Sequence, residues 1–378
     1  MNFKVEPENI AGFGKLVGRA ADDMRKAMSY LGDNTELGFQ AFGPVWDVLY
    51  GSHDQAVSHA KAALKGFTEV LDASEKELKS SARYYRETDH KQAAKLDQTY
   101  RGPSGPREWD ESETDIGTVD PSDFSDSTSP TDHLKPTDVD ENYFQEWGGE
   151  FMLNPVAKIG GTIMDFGSPT AFVTECLKFA GVVDAFEKPT QWFGGDWEGY
   201  MKASAAWENL GSFCVSIAEN IEDGNRTLDE SWYGVSAEVA WRYFHELAQK
   251  LRKAAESFNS LKDQYVQIAR MVYAFAEAVK GFIVGLCDQA VQAVFFNIAA
   301  VAALASVAES PAAPALEALS MQRVFAALRS YTEMLAVLEK VAGGCNALVG
   351  AVFGLSASLF DEVKNFPRPG AGYDNQAV

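Results

Sequence analysis

Few residues of this chain could perform acid–base, nucleophilic or metal-assisted chemistry, and none of them stands in a catalytic spacing. Among the five histidines, His53 and His59 are six residues apart, whereas a zinc-binding helix places two histidines four residues apart. The four cysteines are widely separated in apolar surroundings, which favours buried thiols over a metal or disulfide framework. The sequence has no phosphate-binding glycine loop and no nucleophile elbow. We therefore expect no enzymatic activity, no cofactor and no metal.

The pair that could carry recognition chemistry is Tyr85 and Asp89, in a Tyr-x-x-x-Asp pattern. An aromatic ring with a charge one helical turn away offers a receptor pocket a compact anchor. The alternative interpretation is that Tyr85 packs on its own helix and Asp89 is a solvated residue. Trp46 stands 39 residues before Tyr85, and this spacing is repeated further along the chain.

The repeat lies in the second half of the sequence. Trp232, in the triplet Trp-Tyr-Gly that ends at Gly234, stands 41 residues before Tyr273, which opens a Tyr-x-x-x-Glu pattern ending at Glu277. Internal repetition of this kind indicates a repeated architectural unit. Because Tyr273 and Glu277 fall inside a long apolar helical pattern, we interpret this second copy as a relic or a packing feature rather than a second signal.

Two long helices must position Tyr85 and Trp46. Apolar residues recur at steps of three and four along the first helix, which places them on one face: Ile10, Phe13, Leu16, Val17, Ala20, Met24, Ala27, Met28 and Leu31. A capping box at Ser52 and Gln55 predicts the start of the second helix. The pattern predicts an antiparallel hairpin over residues 1–97, with Trp46 in the turn between its helices.

A second hairpin is expected within residues 143–290, a range that begins with a lead-in segment rich in glycine and aromatic residues. Its long helix carries a heptad seam from Ala240 to Leu286, in which apolar residues alternate at steps of four and three. Such a seam keeps one stripe of the helix facing a partner helix along its whole length. This helix is therefore the predicted spine of the second domain.

The segment 98–142 differs in composition from both hairpins. Between Arg101 and Glu141 there are 12 acidic residues and three basic ones, with few apolar residues. Because such a segment cannot offset its ordering entropy by apolar burial, we expect an acidic flexible linker. It could act as a plain spacer or as a docking site for a basic partner.

The C-terminal region 291–365 is predicted to be helical and apolar, and a short tail, 366–378, follows it. Two stretches carry no charge, Ala290–Ala308 and Val341–Phe360. Each reaches the length of about 20 residues that a membrane-spanning helix needs, but both contain polar residues or glycines. Two interpretations are open: these stretches form buried core helices of a protein in water, or they contact a membrane after export. Gly350 and Gly354 form a Gly-x-x-x-Gly pattern that permits close helix packing.

The net charge of −21 and the pI of about 4.7 restrict the partners that this chain can bind. An acidic chain is repelled by phosphate backbones, so nucleic-acid binding is not expected. Residues 1–8 lack an apolar stretch behind a basic start, so we expect no ordinary cleaved signal peptide. A chain of this kind that leaves the cell would need another export route.

The order of motifs resembles the WXG superfamily of type VII (ESX) secretion substrates, in particular its larger actinobacterial members. The resemblance rests on two helices joined by a Trp-x-Gly turn and followed by Tyr-x-x-x-Asp or Tyr-x-x-x-Glu. The second unit matches the turn at Trp232 and Gly234, whereas the first unit has Trp46-Asp47-Val48 and departs from it. The resemblance covers about residues 1–97 and 195–290.

This resemblance implies a function and its residues. Tyr85 and Asp89 would be the export signal read by the secretion machinery, including its FtsK/SpoIIIE-type ATPase. Trp46 and Trp232 would shape the turns between helices. A small WXG-type helical-hairpin protein, or a second copy of the chain, is an implied partner.

The sequence thus predicts an all-α protein, an elongated helical bundle built from two long antiparallel helical hairpins plus apolar C-terminal helices. The hairpins either pack on each other as a four-helix unit or each recruit a small partner. The expected function is a non-enzymatic effector or secretion-associated component, secreted or at the cell envelope. Two alternatives remain: a membrane-active protein that inserts its C-terminal helices and oligomerises through Gly350 and Gly354, and a trafficking module lacking its toxin domain.

Overall fold

The computed structural model describes residues 3–38, 44–88, 90–99, 119–138, 196–305 and 313–369. In chain order the elements are β1 (Lys4–Val5), α1 (Pro7–Asn34), α2 (Pro44–Glu87), α3 (His90–Asp97), two 3₁₀ helices (Pro121–Asp123 and Pro130–His133), α4 (Trp197–Asp229), β2 (Trp232–Tyr233), α5 (Val235–Ala305) and α6 (Ala313–Lys364). The described chain is an α-helical bundle, which confirms the predicted fold class.

The two predicted hairpins pack on each other. Around the bundle the neighbours run α1, α2, α6, α5, α4 and back to α1. Phe13 of α1 meets Phe244 of α5 edge to face at 4.8 Å between ring centroids, and both side chains are fully buried. One hydrophobic core therefore unites both hairpins, since each apolar stripe covers the other from water.

The second helix of the first hairpin starts earlier than predicted. Helix α2 begins at Pro44, a residue whose fixed φ angle suits a first helical turn. The Ser52 hydroxyl donates to the Leu49 carbonyl oxygen at 2.8 Å within the helix, so the proposed capping box does not form. Trp46 lies in the helix rather than in an inter-helix turn, which corrects the predicted turn; its side chain is outside the described part.

Residues 119–138 correct the prediction that the acidic segment is a flexible linker throughout. Phe124 is buried against Phe13 and covers Gly12 of α1. Arg19 donates to the Phe124 carbonyl oxygen at 2.8 Å and pairs with Asp126 at 2.9 Å. Hydrogen bonds, an ion pair and one aromatic side chain hold residues 119–138, here called the strap, on α1.

The strap also binds α4. Asn220 donates to the Thr128 carbonyl oxygen at 3.1 Å, and its own carbonyl oxygen accepts from the Thr128 N–H at 2.9 Å. Further along, the Tyr30 hydroxyl of α1 donates to the Lys135 carbonyl oxygen at 2.7 Å, and Asn209 of α4 donates to the Tyr30 oxygen at 2.7 Å. The strap thus bridges the first hairpin to the second.

Helix α5 is continuous over 71 residues. The predicted boundary between residues 290 and 291 therefore falls inside one helix and does not separate two regions. The predicted tail also begins later than residue 366, because Phe366 is buried against Tyr243 with ring centroids 5.2 Å apart. The Tyr243 hydroxyl donates to the Pro367 carbonyl oxygen at 2.9 Å.

Among the described helices, α5 and α6 extend beyond the others at one end. Trp197, the first residue of α4, contacts Tyr273 of α5, and Cys345 of α6 lies 3.9 Å from the Met271 sulfur. Past this level α5 continues for 32 residues. No helix in the described part of the chain is long and apolar enough to cross a membrane.

Candidate functional site

The candidate site lies at the end of the bundle where α1 starts, α2 ends and the turn between α4 and α5 is located. There β1 and β2 form an antiparallel pair in which Lys4 faces Tyr233 and Val5 faces Trp232. The N–H of Glu6 extends the pairing by donating to the Ser231 carbonyl oxygen at 3.1 Å. The N-terminal strand of the first hairpin is thereby bound to the turn of the second.

Gly234 occupies a position in this turn that other residues would not tolerate. Its φ angle is +148°, in the region that side chains with a Cβ rarely adopt. A Cβ added at Gly234 would lie 2.7 Å from a carboxylate oxygen of Asp97. The glycine of the Trp-Tyr-Gly triplet therefore serves both the backbone geometry and the close approach of α3.

Asp97 caps the N-terminus of α5 from a distant part of the chain. Its carboxylate oxygens accept from the N–H groups of Val235 at 2.8 Å and Ser236 at 2.9 Å, and from the Ser236 hydroxyl at 2.7 Å. Asp97 is only 5% exposed. A carboxylate here satisfies two orphan helix N–H groups and complements the positive end of the helix dipole.

Tyr85 joins this network through Ser236. The two hydroxyl oxygens are 2.9 Å apart. Because the single Ser236 hydroxyl proton is donated to the acceptor-only carboxylate of Asp97, Tyr85 is the donor and Ser236 the acceptor. The Tyr85 ring also meets Trp232 edge to face at 6.0 Å and Phe3 at 6.1 Å between centroids.

The site presents a mixed surface to solvent. Tyr85 is half-buried, and the indole of Trp232 is 3% exposed. Arg86 and Glu87 are exposed next to Tyr85, and Arg86 pairs with Glu8 of α1 at 2.8 Å. Trp232 is thus a buried support, while the exposed edge of Tyr85 and its charged neighbours form the accessible part. Asp89 lies outside the described residues.

The structure unites some of the residues singled out from the sequence and separates others. It brings Tyr85, Trp232 and Gly234 together. Tyr273 lies elsewhere, half-buried on α5 with its ring against Trp197 at 5.5 Å, which agrees with a packing role. The side chain of Glu277 is outside the described part.

Gly350 and Gly354 do not pack helices together within this chain. Both are exposed on α6, and a Cβ added at either would meet nothing within 4 Å. A close helix contact at this pattern therefore remains a prediction for packing between chains.

Two site residues, Asp97 and Ser236, were missed in the sequence. Ser236 carries a weak local signal, because it is the second residue of a helix and lies two residues after a glycine. Asp97 carries none, since its partners are 138 and 139 residues away along the chain. Only the packing of α3 against the turn defines its role.

A second polar cluster lies inside the bundle at His53 of α2. His53 is 5% exposed, and its Nδ1 lies 2.9 Å from the Tyr265 hydroxyl of α5. Tyr200 of α4 packs edge-on against its ring. Burial lowers the pKa of His53, while Asp54, the Thr35 carbonyl and Asp196 act in the opposite direction. Its position among three helices of both hairpins gives this cluster a structural role.

Acidification should destabilise the bundle through His53. The unfolded chain keeps a His pKa near 6.5, and the folded chain has a lower one, so only the unfolded state binds this proton as the pH begins to fall below 6.5. The stability present above pH 6.5 is then lost towards the folded pKa by up to about 1.4 kcal/mol per pH unit.

The measurement is urea unfolding of wild type and His53→Gln at about pH 7 and about pH 5.5. The glutamine variant should lack this part of the loss. Equal pH dependence in both proteins would contradict the assignment.

Among the described residues, no group of three or more His, Cys, Asp or Glu side chains could hold a metal ion. Comparison with known proteins gave no match to a protein-family model, to a curated protein or to a solved structure.

Proposed function

We propose that this chain is a non-enzymatic protein exported by a type VII secretion system, and that the surface at Tyr85 is its export signal. The main observation in support is that Tyr85 contacts the Trp232–Gly234 turn through the ring of Trp232. The Tyr85 hydroxyl oxygen also lies 2.9 Å from that of Ser236, just after the turn. These are the motif elements that carry the resemblance to type VII substrates. They come from different hairpins and lie at one end of the bundle.

The contacts support recognition of a folded surface rather than a linear peptide. Tyr85 is held by Ser236 and by the ring of Trp232, so its orientation depends on the second hairpin. A pre-oriented aromatic edge loses little entropy when a receptor pocket binds it. The exposed Arg86 and Glu87 beside it offer charged contacts at the rim of that pocket.

The proposed receptor is the secretion machinery and its FtsK/SpoIIIE-type ATPase. The two hairpins of this chain cover each other's apolar stripes, a task that a small helical-hairpin partner would otherwise perform. The proposal therefore assigns the complete signal to one polypeptide, which acts after export at the cell envelope or beyond it as an effector or secretion-associated component.

The test is a secretion assay in a host with an active type VII system. Tyr85→Ala should lower the amount of protein in the medium by about tenfold or more, because truncating an aromatic hot spot costs about 2 kcal/mol of binding or more. Tyr273→Ala is the matched control, since Tyr273 is also half-buried on a helix but lies away from the site; it should leave secretion unchanged.

Intracellular protein levels and circular dichroism separate failed export from failed folding. Tyr85→Phe keeps the ring and removes only the hydrogen bond to Ser236, so it should retain most of the secretion. Equal secretion of wild type and Tyr85→Ala would overturn the assignment of the signal. Absence of wild-type protein from the medium would overturn the proposed export itself.

A further inference from the structure

The outward face of α6 is an exposed surface of the described chain that the proposed function does not use. Along the side opposite the bundle, exposed residues recur at steps of three and four. The outward stripe consists of Ala318, Gln322, Phe325, Arg329, Thr332, Ala336, Lys340, Gly343, Ala347, Gly350 and Gly354. The opposite face of the same helix is buried at Cys345, Val352 and Leu359.

The two halves of the outward stripe differ in bulk. The N-terminal half carries the large side chain of Phe325, which is 63% exposed, with Met321 beside it at 55%. The C-terminal half carries Gly343, Gly350 and Gly354, where an added Cβ would meet nothing within 4 Å, and the 49% exposed Phe353 lies beside them. Seven of the eleven residues of the outward stripe are apolar or glycine, and a helix with a second, mostly apolar face can pack on a second partner.

From this face we infer that the chain forms a dimer in which α6 of one copy packs antiparallel on α6 of a second copy. The bulky half of each outward stripe then lies against the glycine half of the other, with Phe325 between Gly350 and Gly354 of the partner copy. A parallel pair would instead oppose Phe325 to itself and leave a void at the glycines. The stripe is thus complementary to itself under two-fold symmetry.

The outward stripe itself carries no carboxylate that would oppose a second copy. The chain carries a net charge of −21, so most contacts between two copies bring carboxylates together. Glu333 is exposed beside the outward stripe, whose own two charged residues, Arg329 and Lys340, are basic, so that the two Lys340 residues approach each other near the two-fold axis. Their long side chains can extend away from the helix contact to solvent while the stems stay packed.

The size of the contact sets its expected strength. From Ala318 to Gly354 the stripe spans 36 residues, about 54 Å at 1.5 Å per residue. With a helix width of about 10 Å, it would bury about 500 Å² per copy and about 1,000 Å² in total, near the lower limit for specific interfaces. We therefore expect a reversible dimer whose population rises with concentration.

Sedimentation equilibrium over the soluble concentration range tests this inference. Wild type should move from 41.3 kDa towards twice that mass as its concentration rises. Gly350→Leu fills the space for the partner's Phe325 and should weaken dimerisation about tenfold or more. The change favours helix over glycine, so the monomer should stay folded. Gly51→Leu is the matched control, because Gly51 is an exposed helical glycine of α2 with nothing within 4 Å.

Cross-linking with a short bis-maleimide tests the orientation. The two-fold axis lies near residue 339, so Lys340→Cys should cross-link to its own copy. Arg329→Cys should not, since the two copies of residue 329 would be about 30 Å apart along the axis. Peptide mapping restricts the readout to the introduced thiols.

Three results would overturn the inference. The first is that the wild type stays monomeric at every concentration. If this monomer also floats with phosphatidylglycerol vesicles, lipid and not a second copy occupies the outward stripe. The second is a dimer that Gly350→Leu leaves intact. The third is cross-linking at residue 329 as efficient as at residue 340, which indicates a parallel pair.

Discussion

Replacement of Asp97 by alanine is expected to lower the free energy of unfolding by about 2–4 kcal/mol. The loss of a helix cap costs about 0.5–2 kcal/mol, and the buried Ser236 hydroxyl and two N–H groups that Asp97 satisfies would lose their acceptor. Water could reach these groups only if α3 moved away from the turn. The effect should be seen as a lower urea midpoint with an unchanged slope.

Asp97→Asn is the matched control for this prediction. The amide keeps one carbonyl oxygen in nearly the same volume, so it can accept one or two of the three hydrogen bonds. We expect it to lose about half as much stability as the alanine variant, mainly through the lost charge at the helix N-terminus. Equal, small effects of both substitutions would show that the cap does not stabilise the bundle.

Replacement of Trp207 by alanine is expected to have the larger effect, about 3–5 kcal/mol. Trp207 is fully buried on α4. Its ring stacks on Phe258 at 5.9 Å and meets Tyr265 edge to face at 5.6 Å, both on α5. Truncation would leave a cavity between α4 and α5, the two helices of the second hairpin. The neighbouring aromatic side chains could fill this cavity only in part.

Trp241→Ala provides the comparison. Trp241 stacks on His245 with centroids 4.9 Å apart, but it is only half-buried, so its loss should cost less than about 1.5 kcal/mol. Chemical unfolding of both variants under the same conditions gives the two values. A Trp241→Ala effect as large as that of Trp207→Ala would place the critical aromatic contact at the surface instead of in the core.

The architecture could be predicted from the sequence because burial imposes a period on the residues that face the core. The apolar positions of α1, such as Ile10, Phe13 and Leu16, are fully buried as their spacing indicates. The start of α2 differs from the predicted one because Ser52 and Gln55 have the spacing of a capping box, whereas Pro44, which suits a first turn, begins the helix.

Composition misled the prediction at residues 119–138. A count of apolar and charged residues treats a segment as if it had no neighbours. Here one side chain, Phe124, reaches the core, and the amide of Asn220 satisfies both the N–H and the carbonyl of Thr128. Such specific hydrogen bonds stabilise a polar segment that buries little apolar area. The local sequence contains no pattern that predicts them.

The candidate site was predictable only in part for the same reason. Tyr85 and Trp232 are predictable as site residues because the repeated spacing of aromatic residues is evident in the sequence itself. Their contact was not, and Asp97 could not be found, since its role depends on α3 lying against a turn more than a hundred residues away. The role of Gly234 became clear only with its φ angle and the nearby carboxylate.

The pairing of β1 with β2 has a consequence for the time at which the site can form. Lys4 and Tyr233 are partners across about three fifths of the chain, and contacts at such separation are expected to form late, after the loop between them has closed. A ribosome has to release the sequence beyond Ser236 before Tyr85 can acquire its hydroxyl partner. A receptor that reads this surface would therefore ignore nascent and truncated chains and select molecules whose two halves have already folded together.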